Sequence, residues 1–289
     1  MYWLVGSQGM LGCEVRSFLE RQEVPFLATD REVDITDLES LFAFISPRRI
    51  SVIINCAAFT DVRACEVETE LAFQVNAEGV RNLSKVAAWK GARLVHISTD
   101  YVFNGRAREP YREDAATDPI NAYGQSKLAG ERYLRASSCP WVLVRTSWLF
   151  GRGGRNFVTT VLDRLRAQGV IRVVDDQYGS PTYAPDLAQA IFGLSRAQTG
   201  IYHVTNEGVT TWFEFACEIA RLGSELGLLP RDVRVEPISS ADLRDPVARP
   251  SYSALDTSRA KAALGRGLRP WREALSEFLS QLRKAPVGP

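Results

Sequence analysis

The chain has 289 residues, of which 45% are hydrophobic and 24% charged, and its formal net charge is +1. That length is enough for one large body or two unequal ones with ample core, and the near-neutral balance gives nucleic acid or an anionic membrane surface nothing to hold. No apolar run reaches the length of a bilayer span. The opening "MYWLVGSQGMLG" enters a strand directly, where a signal peptide would need a basic start and a longer apolar stretch, so a cytoplasmic protein is expected.

In the first half, short β-rich runs alternate with helical stretches. Strands are expected at residues 2–5, 25–29, 51–55, 92–98 and 141–147, and helices at 10–21, 37–45, 68–90 and 121–136. Alternation of this kind predicts an α/β fold: a Rossmann-type, doubly wound parallel sheet covered on both faces. Ligands of such sheets bind beyond the carboxyl ends of the strands. Residues 1–150 are therefore read as a dinucleotide-binding domain.

The second half is less regular. A helix over 157–169 is followed by a strand at 171–174, the loop "DDQYGSPTYAPD" and a helix from Asp186. A strand at 201–204 and helices after Thr211 and from Pro270 complete the pattern. Residues 151–289 are read mostly as a smaller C-terminal α/β substrate-binding part, with the segment around 170–205 returning to the first domain. The tail "RKAPVGP" is expected to fray.

Five scattered cysteines (Cys13, Cys56, Cys65, Cys139 and Cys217) lack metal-ligand spacing and read as free thiols in a reducing compartment. With only His96 and His203, a histidine-based triad or metal site is not expected, and His96 in "RLVHIS" reads as a strand residue.

Gly6, Gly9 and Gly12 lie between the first strand and the first helix. Glycines there let the backbone turn sharply and approach a pyrophosphate, whose charge the helix N-terminus favours. Asp30, ending the second strand, is placed to accept from the adenosine ribose hydroxyls of NAD, whereas Arg31 beside it suits the extra phosphate of NADP, so NADH and NADPH both stay open. Asp34 and Ile35 would flank the adenine. The small residues of "NCAAFT", which end the third strand, would allow close approach to the cofactor at Ala57, Ala58, Phe59 and Thr60, as would Ser98 at the end of the fourth.

The stretch "NAYGQSKLAGE" carries Tyr123 and Lys127 four residues apart, on one face of the expected helix. A nearby ammonium favours phenolate and lowers a phenol's pKa toward useful acid–base work. Thr99, just after the fourth strand, would lie at the same end of the sheet and hydrogen-bond a reacting carbonyl oxygen. Together the three predict hydride transfer to or from a carbonyl, with Tyr123 exchanging the proton and Lys127 also holding the nicotinamide ribose.

Taken in order, "GSQGMLG", "NCAAFTDVRACE", "STDYVFNG", "NAYGQSKLAGE", "VRTSWLFG", "DDQYGSPT" and "ARPSYSALDT" resemble the extended short-chain dehydrogenase/reductases, and within them the dTDP-4-dehydrorhamnose reductase family, over nearly the whole length. The resemblance implies NAD(P)H-dependent reduction of the C4 ketone of a dTDP-linked deoxyketosugar by a monomer or homodimer. It matches Thr99, Tyr123 and Lys127 to the family's catalytic residues and Gly9, Met10 and Leu11 to cofactor-loop positions. Asp34, Ile35, Ala58, Phe59 and Thr60 match other positions lining the dinucleotide, and Thr99, Asp100 and Trp148 match positions that contact the sugar nucleotide. Tyr101, Asn156 and Arg249 are further substrate candidates.

Related dehydratases follow Thr-Asp with a glutamate; Tyr101 stands there instead, which argues against elimination of water. Some members bind magnesium at a dimer contact. Glu14 matches one such position, but Pro185, with Asp186 beside it, occupies the next, and no metal residues are expected. Two alternatives remain: a reductase or epimerase of another nucleotide sugar, and a non-catalytic NADP-binding subunit similar to the regulatory subunit of methionine adenosyltransferase.

Overall fold

The computed structural model describes residues 1–243 and 245–284; most of the tail expected to fray lies outside them. The first half runs β1 (Tyr2–Val5), α1 (Met10–Arg21), β2 (Phe26–Thr29), α2 (Leu38–Ile45), β3 (Val52–Asn55), α3 (Val62–Val67) and α4 (Thr69–Phe73). A π-helical turn, Gln74–Glu78, leads into α5 (Gly79–Lys90), then β4 (Arg93–Thr99), α6 (Ala122–Arg135) and β5 (Trp141–Thr146). The second half contains β6 (Leu149–Phe150), α7 (Phe157–Gln168), β7 (Val170–Val174), β8 (Tyr178–Gly179), β9 (Thr182–Tyr183), α8 (Ala184–Leu194), β10 (Gly200–His203) and β11 (Thr210–Thr211). It closes with α9 (Trp212–Glu225), β12 (Arg234–Ile238), α10 (Ser240–Leu243), α11 (Ser258–Leu264) and α12 (Trp271–Lys284).

Six strands form one parallel sheet in the order β10-β5-β4-β3-β1-β2. The chain steps outward from β1 to β2 and then returns to the other side of β1 for β3. That reversal opens a crevice beyond the carboxyl ends of β1 and β3, where such sheets bind ligands. Helices α1 and α8 cover one face through Val15, Leu19, Leu187 and Ile191, and α2 and α5 cover the other through Leu41, Ile45, Leu83 and Val86. Each of these side chains, withdrawn from water, contributes roughly 1.5–3 kcal/mol. A further core forms around Phe150, Phe215, Trp271 and Phe278, between α7, α9 and α12.

The parallel Rossmann-type sheet and the additional α/β region agree with the sequence expectation; several details differ. The helix expected over 68–90 runs from Thr69 to Lys90 as α4, the π turn and α5 in unbroken succession, while α3, a further helix before it, is set apart because Glu68 leaves helical geometry (φ −106°, ψ 50°). Within the segment around 170–205, β7 pairs with β12 in a separate two-stranded parallel sheet, while α8 and β10 lie on the main sheet. No described helix is long and apolar enough to cross a membrane.

Candidate active site

The turn after β1 is built by contact rather than by flexibility alone. Gly6 has φ +75°, and a Cβ there would lie 2.5 Å from the Ala57 amide nitrogen; a Cβ on Gly12 would fall on the Gly6 carbonyl oxygen. Strand ends β1 and β3 thus touch through backbone. Gly9 is the residue before α1 and meets nothing closer than 3.6 Å, so a side chain there would fill open space. The N-terminus of α1, which begins with Met10 and Leu11, has no side-chain cap and no acidic residue in its first turn. No side chain of the helix therefore competes for its first amide donors and positive dipole end, an arrangement that suits an anion such as a dinucleotide pyrophosphate.

Asp30 closes the far side of the turn: its carboxylate accepts from the Gln8 amide (2.9 Å) and from the Arg31 amide (3.1 Å), while the Arg31 side chain is exposed. Asp34 is engaged by Thr36, through amide and hydroxyl at 2.8 Å each. Ile35 packs in the core against Gly79, and its carbonyl accepts from Asn82. On the β3 side, Ala57 donates to Asn55 Oδ1 (3.0 Å). The backbone of Phe59 is gripped at both ends by Asn76, which receives its N–H at 2.8 Å and donates to its carbonyl at 2.9 Å. Asn76 belongs to the π turn and also donates to Ser126 Oγ on α6 (3.0 Å), so the irregular helix has a positioning task. Ala58 and Thr60 flank this clamped stretch, Thr60 exposed.

At the end of β4, Thr99, Asp100 and Tyr101 are all buried. The Thr99 hydroxyl donates to Asp100 Oδ1 (3.0 Å) and accepts from the Tyr101 amide (3.2 Å). Asp100 Oδ2 is buried without a hydrogen-bond partner. Burial pushes this carboxyl up to about 7, the Ser253 and Thr99 hydroxyls opposing. The Tyr101 ring meets Tyr123 edge-on at 5.7 Å between centroids, and its hydroxyl accepts from Arg249 (3.3 Å). Arg249 is held by Asp245 (3.2 Å), which in turn pairs with Arg63 on α3 (3.1 Å).

Helix α6 starts at the cap Asn121, whose Oδ1 accepts from the Gly124 amide (2.8 Å) and whose Nδ2 donates to Ala248 O (3.0 Å). Gly124 lets α6 approach Tyr101, whose carbonyl oxygen a Cβ would strike. The phenol of Tyr123 is raised well above its ordinary pKa by burial, with the Thr99 hydroxyl acting in the opposite sense. Lys127 departs from the sequence expectation. Its Nζ donates to the Ile97 carbonyl (2.7 Å) and lies 3.5 Å from His96 Nε2, and no hydrogen bond joins it to Tyr123. Burial lowers Lys127 to about 8 against the opposing pull of Glu131 and Cys56. The lysine is therefore not what tunes the phenol in this geometry; burial keeps Tyr123 protonated.

Ser98 points its hydroxyl away from the crevice, donating to Glu131 (2.6 Å). Glu131 also takes a two-pronged bond from Arg145 (2.9 and 2.7 Å), with both side chains at 1% exposure or less. Trp148 has a left-handed backbone (φ +47°) and lies face to face with Trp212 at 3.5 Å. Asn156 is committed to structure: it caps α7 through Thr159 and donates to the Gly151 and Gly154 carbonyls (2.8 and 3.2 Å), so its amide is not free for a substrate. Of the residues compared with the family's magnesium contact, Asp186 is paired with Arg269 through both oxygens (2.9 and 3.0 Å) and accepts from Asn206, and Glu14 stands on α1, which packs against α8. Among the described residues no cluster of three or more His, Cys, Asp or Glu side chains could hold a metal.

The sequence reading missed Asn55, Asn76, Asn121, Glu131 and Arg145. Buried polar residues at strand ends and in an otherwise apolar helix face are the signal that marks them.

A parallel sheet with its glycine turn at the β1–β3 crevice, an open helix N-terminus and a Thr-Tyr-Lys set beside it define an NAD(P)-dependent oxidoreductase of the short-chain type. The family model described as RmlD substrate binding domain matches residues 2–284. The chain is 44% identical to a dTDP-4-dehydrorhamnose reductase of Streptomyces griseus over 97% of its length and 93% of the relative's. It is 40% identical to a dTDP-4-keto-6-deoxy-D-glucose reductase of Streptomyces niveus over 95% of each. Among solved structures, dTDP-4-dehydrorhamnose reductase from Bacillus anthracis in complex with NADP superposes with a TM-score of 0.90 at 37% identity, covering 97% of this chain and 98% of that one. The chain belongs to the dTDP-4-dehydrorhamnose reductase family, nucleotide-sugar oxidoreductases of the extended short-chain type.

Proposed function

We propose that the protein reduces the C4 ketone of dTDP-4-dehydro-L-rhamnose, giving dTDP-L-rhamnose, with NADPH or NADH. The reading rests on the end of β4, where a half-buried protonated phenol, a threonine hydroxyl and an unpartnered carboxylate oxygen converge beside the glycine turn. The bound coenzyme supplies hydride. Gly6, Gly9, Gly12 and the amides that open α1 hold its pyrophosphate, Asp30 and Arg31 face the adenosine ribose, and Lys127 the second ribose. Asp34, Ile35 and the Ala57–Thr60 backbone border the dinucleotide. Tyr123 donates its proton to the ketone oxygen, and a phenol held protonated by burial suits reduction rather than the reverse. Thr99 orients that oxygen by turning its hydroxyl from Asp100. Asp100 and Trp148 take the sugar and Arg249 the diphosphate, for which a guanidinium fork is well matched.

The test is loss of reduced-nicotinamide absorbance when the protein meets the ketosugar, with each coenzyme in parallel. Tyr123→Phe should lower turnover by at least about 100-fold while coenzyme still binds; near-normal rates would overturn the mechanism. The 40% identity to the Streptomyces niveus enzyme supports a second reading, reduction of a dTDP-4-keto-6-deoxy sugar of other stereochemistry. A panel of such sugars separates the two. Coenzyme binding without turnover of any of them, together with a stoichiometric partner enzyme, would favour the regulatory-subunit alternative.

A further inference from the structure

The geometry assigns His96 as a positioning residue for Lys127: Asn55 locks its imidazole in the Nε2–H form, which faces the lysine nitrogen and favours the neutral amine over the ammonium. The Ala57 N–H can only donate, so the Asn55 side-chain atom that meets it at 3.0 Å is the oxygen. The other end of that amide is then NH₂, 3.1 Å from His96 Nδ1. An NH₂ group only donates, so Nδ1 must accept, and a neutral imidazole with an accepting Nδ1 carries its proton on Nε2. His96 is fully buried, and burial above all holds its pKa well below the ordinary value, so the ring stays neutral.

The Nε2–H thus faces Lys127 Nζ at 3.5 Å, at the edge of bonding distance. An ammonium has three N–H groups and no lone pair and would meet it donor to donor. An amine gives one N–H to the Ile97 carbonyl at 2.7 Å and offers its lone pair to the imidazole. The other groups facing Nζ are Glu131 on its own helix and Cys56 after β3; both favour the ammonium, and burial outweighs them. Burial also pushes the Cys56 thiol up to about 12, so it supplies little negative charge. Lys127 is 2% exposed, so the tautomer of one neighbour weighs heavily on its proton.

His203 makes the opposite arrangement. Its Nδ1 lies 3.0 Å from the Tyr111 carbonyl, which only accepts, so the proton is on Nδ1, and Nε2 faces the donor Arg145 Nη1 at 3.3 Å. The two histidines of the chain are therefore expected in opposite tautomers.

That Lys127 serves the reaction rests on the function proposed above; its protonation can be read without any substrate. Two-bond ¹H–¹⁵N correlation spectra of the ligand-free protein near neutral pH should show one Nε2–H and one Nδ1–H imidazole, assigned with His203→Gln. Titration of protein carrying ¹³C-lysine follows five side chains, Lys85, Lys90, Lys127, Lys261 and Lys284. The resonance lost in Lys127→Met should have the lowest midpoint of the five. His96→Phe, which removes the facing N–H, should raise it by about one pH unit. If that variant does not fold, Asn55→Asp serves: with oxygens at both ends it must receive a proton from Nδ1, so the His96 spectrum should change to the Nδ1–H pattern and the lysine midpoint should rise. A His96 found as Nδ1–H or charged in the parent protein would overturn the assignment. So would a Lys127 midpoint that no folded variant moves. An inactive protein with the expected spectra would instead refute the function and leave the assignment standing.

Discussion

Glu131→Gln tests how the floor of the site is held. In the folded protein Glu131 accepts from Ser98 and from two nitrogens of Arg145, and neither member of the pair reaches solvent. The variant keeps the shape but removes the charge, leaving a guanidinium in the interior with neutral neighbours, the His203 ring and the Glu113 carbonyl. Breaking a buried pair from one side costs about 3–5 kcal/mol, because an uncompensated charge remains. At about 2–4 °C per kcal/mol for a chain of this size, the melting temperature should fall by roughly 10 °C. Scanning calorimetry of Glu131→Leu, Arg145→Met and Glu131→Leu/Arg145→Met, run beside Glu131→Gln, gives the coupling between the positions. The double variant should recover much of the loss. A single-variant loss under about 1 kcal/mol, or a double variant whose loss is the sum of the two, would refute the claim that the pair is dry and interdependent.

Three shorter expectations follow from other parts of the site. Asp100 has its pKa raised on folding, so its contribution is present at low pH and is lost as pH rises from about 4 through about 7. Asp100→Asn should therefore be more stable relative to the parent at pH 8 than at pH 5, by a few kcal/mol at most, as melting curves at the two values would show; an equal difference at both would count against a raised carboxyl. Asn156→Ala removes the side-chain half of a capping box, leaving the backbone N–H of residue 156 on Thr159 Oγ1, and should cost about 1 kcal/mol, with little change in the KM for the sugar nucleotide. A large rise in KM with unchanged stability would return Asn156 to the substrate site. Gly179→Ala would put a methyl group 2.5 Å from the Trp148 ring, so the Trp148–Trp212 stack must shift and sugar-nucleotide affinity should fall several-fold in a binding titration, coenzyme affinity being unchanged.

What the sequence made legible is what neighbouring residues decide among themselves. Strand β1, the glycine turn and α1 follow one another within about twenty residues, and each is signalled by pattern and by residue type, so their bounds were readable. The Thr-Tyr-Lys set was legible as an i,i+4 pair plus a strand end. The direction in which Lys127 points was not, because it depends on a carbonyl of β4 and on a ring anchored by Asn55, 72 positions earlier in the chain. Asn156 misled for a related reason: an asparagine before a helix is as good a cap as it is a ligand, and only the Gly151 and Gly154 carbonyls show which. The π turn is likewise invisible in periodicity, since its one extra residue serves a contact with Phe59 made across the fold.

Strand β10 joins the main sheet only after the chain has left it to form α7 and β7, and the chain then departs again for α9 and β12. No single cut therefore yields two separable modules: a fragment ending after β5 would leave that strand as a bare edge, and a graft beginning there would carry a piece of the acceptor's own sheet. Exchange of sugar preference between relatives by recombination requires at least two crossover points, one on each side of α8 and β10, so variation in specificity is more readily reached by substitution in the loops than by shuffling of segments.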